Sequence, residues 1–168
     1  MRHCLKRGIA MRYMILAALS VFAAACSSNP AVEPVKVRET EETVAQRGFL
    51  IGRFLGEAPT TDGSYRYWIV DRKADGTFRI DFRNILASGV PQMHSEVGIW
   101  GNSGGIYFTA TRGFAEGTQV YPADTTDPSL YDTYRIVGVT ADGFEYENLS
   151  TGNVFKVRRI GADESFPR

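Results

Sequence analysis

His94 and Glu96 are the side chains of this sequence best spaced for acid–base chemistry. Two residues apart, they share one face of a β-strand, where a carboxylate can orient an imidazole as a general base. A base alone is not a catalytic site, because a nucleophile and a group that stabilises developing charge must stand beside it. Ser95, the adjacent hydroxyl, would point to the opposite face, so His94 reads as a surface histidine. Cys4 and Cys26 are the only cysteines and His3 the only other histidine, all within the first 26 residues. Beyond residue 26, a Cys/His zinc site, a C-x-x-C redox pair, a cysteine nucleophile and a disulfide framework are therefore excluded. Asp124, Asp127 and Asp132 lack the spacing of an EF-hand loop, and Glu145 and Glu147 read as the solvated face of a strand. Arg158-Arg159 is too small a cluster for an anion site, and no glycine-rich phosphate loop follows a parallel strand. No catalytic residue, metal or cofactor is expected.

Cys26 differs because of what precedes it. A basic start (Arg2, Lys6, Arg7, Arg12) leads into an apolar run from Met14 to Ala25, twelve residues long. Spanning a bilayer takes about 20 apolar residues, so the run suits the core of a signal peptide. Met11 could equally be the start, since Met11 to Ala25 alone makes a complete short leader. The run ends Ala23-Ala24-Ala25-Cys26 and continues Ser27-Ser28-Asn29-Pro30. Small residues before a cysteine resemble the lipobox of bacterial lipoprotein precursors. The resemblance implies cleavage after residue 25, diacylglycerol on the Cys26 thiol and a fatty acid such as palmitate on the new amino terminus. Two or three acyl chains would make a lasting membrane anchor, where one chain gives marginal binding. With Ser27 rather than Asp after the cysteine, it also implies the periplasmic leaflet of the outer membrane.

The elements downstream must then be read. The chain has 19 basic and 19 acidic residues, but four of the basic ones lie in the leader, leaving 15 against 19 and a net charge of −4. That balance excludes a nucleic-acid footprint. The 142 residues after Cys26 and a hydrophobic content of 43% suit one domain with its own core. Residues 26–47 mix Ser, Asn, Pro, Glu and Lys without a sustained apolar period. Pro30 and Pro34 favour extended backbone, and Glu39, Glu41 and Glu42 repel one another. A short helix over 39–46 is an alternative, but a solvated tether is the preferred reading.

From Phe49 the pattern becomes one of short β-rich runs: 49–55, 65–72, 77–84, 95–101, 106–111, 130–140, 144–149 and 153–160. Between them stand Asp62-Gly63, Asp75-Gly76, Asn102-Ser103-Gly104-Gly105, Asp142-Gly143 and Thr151-Gly152, the turn chemistry of tight antiparallel hairpins. Phe78, Ile80 and Phe82 alternate with Arg79, Asp81 and Arg83. A flat sheet of eight such strands would leave edges, which closure removes. The expected fold is all-β, a small antiparallel up-and-down barrel of about eight strands over residues 48–163, with 164–168 as a tail.

Ala74-Asp75-Gly76-Thr77-Phe78, Glu96-Val97-Gly98-Ile99-Trp100 and Gly104-Gly105-Ile106-Tyr107 resemble the turn-and-strand signatures of small bacterial lipocalin-like domains, the calycin type of eight-stranded barrel. Tyr131 to Ile136 and Gly152 to Val157 are similar to their closing strands, and Gly52-Arg53-Phe54 stands where lipocalins carry G-x-W. The resemblance implies a closed barrel and a small apolar or amphipathic ligand.

Trp100, Trp68, Phe78, Phe82, Phe108 and Tyr134 are the candidate ligand-binding residues, with Phe144 and Phe155 as further candidates for the interior. Large aromatics favour a filled barrel, and a small apolar cavity is the alternative. Trp100 is expected inward, with Gly98 making room for its ring. The segment 85–93 reads as a cap or lip and 112–127 as a long loop, mobile or functional. Two functions compete: a lipid-anchored envelope protein whose barrel binds a small ligand, or a solid barrel that contacts an envelope protein as scaffold or inhibitor.

Overall fold

The computed structural model describes residues 41–167. The leader, Cys26 and the tether up to residue 40 lie outside the described residues. A helix, α1 (Glu41–Leu50), precedes nine strands: β1 (Gly52–Pro59), β2 (Tyr65–Arg72), β3 (Thr77–Ile85), β4 (Pro91–Ser103), β5 (Ile106–Glu116), β6 (Gln119–Pro122), β7 (Tyr131–Val139), β8 (Gly143–Asn148) and β9 (Val154–Arg159). All pairings are antiparallel, and the order β4-β3-β2-β1-β9-β8-β7-β5 closes through β4–β5 into an eight-stranded barrel, with β6 hairpinned onto the outer half of β5. The expected architecture is the observed one. Its turns follow from local chemistry: at the β2–β3 hairpin Gly76 takes φ 85°, and Asp75 accepts hydrogen bonds from the Thr77 amide (2.9 Å) and hydroxyl (2.7 Å).

Three boundaries differ from expectation. Residues 41–47, expected as tether, belong to α1, with Glu41 and Glu42 in its first turn and Arg47 in its last, as the helix dipole favours. Its docking is concentrated in the final residues: Leu50 is fully buried and the Phe49 ring meets Phe54 and Phe144. Arg159 donates to the carbonyls of Phe49 and Ile51 and lies 4.5 Å over the Phe54 ring. Asn102 Nδ2 donates to the Thr43 carbonyl (3.4 Å) and Gln46 Oε1 (3.3 Å), and Arg47 covers Trp100 at 4.7 Å. The helix thus closes one end of the barrel.

Residues 164–167, expected as a tail, pack on the outer wall. Phe166 lies against an outer cluster of Leu55, Ile69 and Ile160, Glu164 pairs with Arg158, and Arg53 donates to the Gly161 carbonyl (2.7 Å). The expected loop 112–127 is largely strand: β5 runs to Glu116, turns at Gly117 and returns as β6. The segment 85–93 is the β3–β4 hairpin at the end opposite α1. Its Val90 and Met93 are exposed, while Ile85 and Leu86 are half-buried.

Candidate functional site

Strand alternation aims one row of side chains from each barrel strand inward. The α1 end of that interior is packed solid by Leu50, Phe54, Phe78, Trp100, Tyr107, Phe144 and Val157. Toward the other end the side chains do not meet, and a cavity of about 230 Å³ remains. The aromatics therefore leave this end unfilled, where the short side chain of Thr109 stands in the wall. Trp68, Phe78, Phe82 and Tyr134, four of the sequence candidates, line this cavity together with Phe155. Trp68 meets Phe155 edge-on at 5.6 Å, and Tyr107 and Tyr134 stack at 4.7 Å.

Two candidates belong elsewhere. Trp100 points inward but lies in the packed end, 3% exposed, its Nε1 donating to the Lys73 carbonyl at 3.0 Å. The room that Gly98 leaves is taken by Phe78 and the Ala110 carbonyl, not by Trp100: a Cβ on Gly98 would stand 2.7 Å and 2.2 Å from them. Phe108 is 44% exposed on the outer surface, where its ring lies over Gly101. Tyr107, its neighbour in β5, takes the inward position, so alternation sends Phe108 outward.

The polar groups of the site were not among the candidates legible in the sequence. Arg72, at the inner end of the cavity, is 1% exposed. Opposite Gly52 on one side and Phe78 on the other, it lies at the α1 end of β2. Its Nη2 donates to the Tyr107 hydroxyl at 3.0 Å, and its guanidinium lies 4.8–5.6 Å from the rings of Tyr107, Phe144 and Phe54. Nε and Nη1 have no hydrogen-bond partner among the described residues. Arg66, six residues earlier, is at the mouth and bonds Asn84. The signal for Arg72 was present as parity, since it lies two and four residues beyond Val70 and Trp68 on the same strand face.

Two carboxylates also line the cavity, and both are engaged. Glu96 accepts from the Thr111 hydroxyl at 2.8 Å and stands 3.6 Å from His94. Asp132 accepts from Asn148 Nδ2 at 2.9 Å. Burial, with Tyr107 and Asp132 nearby, pushes the Tyr134 phenol up from its ordinary 10.0, and burial does the same to Tyr146. His94 and Glu96 share a face as expected, with the imidazole stacked on Phe82 at 4.5 Å near the mouth. Ser95 bonds Asp81 and Arg79 on the outer face. Asp124 and Asp127 close local turns by accepting from Thr126 and Ser129. No three His, Cys, Asp or Glu residues converge on a common point among the described residues.

A scan of protein-family models finds no match to the chain, and a search of curated proteins finds none either. The architecture is consistent with a lipocalin-like barrel on its own geometry: eight antiparallel strands, closed, with a helix over one end.

Proposed function

We propose that this domain binds one small apolar or amphipathic ligand inside its barrel, and that it is held at the cell envelope by acyl chains on Cys26. The cavity carries the reading. A barrel whose only task was to present an outer surface would gain stability by filling that space, since lost packing costs free energy roughly in proportion to void volume. Here the space is retained behind aromatic walls, at an end of the barrel that α1 leaves open. One small concave site with apolar walls and a few converging polar groups is what ligand recognition requires. The leader ending in Ala-Ala-Ala-Cys and the serine after it support anchorage in the outer membrane, facing the periplasm. Binding without transformation is favoured because His94, the one candidate base, has Ser95 turned away from it.

A second reading, contact with another envelope protein, rests on Ile99, Phe108 and Val120, which are exposed on the outside. Native mass spectrometry of the protein purified from its own organism tests the ligand reading. A retained mass of a small organic molecule is expected. A protein that stays empty, and that no apolar probe enters, would leave the outer surface as the functional one.

A further inference from the structure

We infer that the ligand is an anion, a small monocarboxylic acid whose head is received by Arg72 at the inner end of the cavity. This rests on the reading of the barrel as a ligand-binding domain and specifies the chemistry of its occupant. A guanidinium taken out of water needs a counter-charge or a full set of acceptors, because an unpaired buried charge is among the most costly groups a core can hold. Arg72 has neither. The Tyr107 hydroxyl takes one of its donors and three aromatic rings face its π surface, while Nε and Nη1 are left without acceptors. The two carboxylates of the cavity do not pair with it: Asp132 is held by Asn148, and Glu96 by Thr111 and His94.

A carboxylate brings the missing charge and two acceptor oxygens, and charge-assisted hydrogen bonds of this kind are the strong ones. The Tyr107 hydroxyl, once it accepts from Arg72, keeps its own proton to donate to the same head group. The rest of the cavity fits an apolar body. Trp68, Val70, Ile80 and Phe155 supply its walls, and 230 Å³ holds a chain of roughly eight atoms at about 30 Å³ for each water-sized group. The acids also set the polarity of entry, because the engaged Glu96 and Asp132 repel a carboxylate that stops short of Arg72.

The test uses three probes of equal chain length, octanoate, 1-octanol and octylammonium, titrated into the chain at neutral pH and followed by calorimetry and by the fluorescence of Trp68. Octanoate is expected to bind about 10- to 100-fold more tightly than octanol, the usual worth of a charge-assisted hydrogen bond, and octylammonium more weakly than either. Arg72→Gln should erase the preference for the acid while leaving octanol binding in place, and Arg66→Gln, at the mouth, should retain it. Equal binding of acid and alcohol by the unaltered chain, or tighter binding of the amine, overturns the anion inference and leaves the ligand-binding reading standing. The same holds for an acid preference that survives Arg72→Gln. Should that variant not fold, the comparison of the three probes on the unaltered chain still decides the matter. If none of the probes binds, the ligand-binding reading falls as well.

Discussion

Gly56 lies against the indole of Trp68, directly opposite it across the β1–β2 ladder. A Cβ at position 56 would fall 2.2 Å from ring atoms Cε2 and Cζ2, well inside contact distance. The glycine thus lets Trp68 lie flat on the barrel wall and leaves the volume beside it open. Gly56→Ala should force the ring toward the cavity or part the strands, at a cost of about 1–3 kcal/mol for overpacking. Urea unfolding measures it, and a loss below about 0.5 kcal/mol would mean that the ring moves aside freely.

Gly48 is the counter-example. It sits in α1 with nothing within 4 Å of where a Cβ would be. Gly48→Ala should therefore stabilise the domain by about 0.4–1 kcal/mol, through helix propensity and a less flexible unfolded chain. A destabilised variant would show that α1 is not formed in solution.

Trp100 is a core residue rather than a cavity residue. Trp100→Ala is expected to cost about 3–5 kcal/mol, since it removes a buried indole, its bond to the Lys73 carbonyl and the platform under Arg47. Denaturant unfolding checks this, and a loss under about 1 kcal/mol would contradict the packing described.

Alkaline pH should unfold the domain through its buried phenols. Tyr134 and Tyr146 are raised above the ordinary 10.0, so the folded protein holds these protons more tightly than the unfolded chain does. Their contribution to stability is complete below pH 10 and is lost as the pH climbs above it, where unfolded tyrosines ionise. Of the eight tyrosines, some should show tyrosinate absorbance only as the circular dichroism of the barrel disappears. A full titration with the barrel intact would refute their burial.

Anchorage has its own test. Cys26→Ser should abolish incorporation of a clickable fatty acid in cells and release the protein from membranes. Equal labelling of both proteins would remove the lipobox assignment.

The barrel was legible because its signals are local. Asp75-Gly76 demands a turn with positive φ, and the alternation of Phe78, Ile80 and Phe82 with charged residues states which face is buried. Legibility stopped where the answer depended on distant residues. Phe108 looks like core until the neighbouring Tyr107 is seen to claim the inward position. The segment from Glu41 to Arg47 looks like tether because its partners, Asn102 beside Thr43 and Gln46 and Trp100 under Arg47, lie elsewhere in the chain. Arg72 carries the inward parity of Val70, yet a charged residue at a strand end reads as solvated. Only the closed barrel shows that no carboxylate side chain among the described residues pairs with its Nε.

The closing seam of the barrel joins β1 to β9, and its Arg159 clasps the Ile51 carbonyl across 108 residues of sequence. Loop-closure entropy has to be met before such contacts give any return, and folding slows as contacts become more distant in sequence. Each hairpin from β2 to β8 can form while the chain is still emerging, but the seam cannot. Until β9 arrives, β1 and β8 present unpaired edges, and α1 has no barrel end to close. The domain therefore acquires its cooperative stability in a single late step, and its exposure to aggregation or proteolysis is concentrated in the interval before that step.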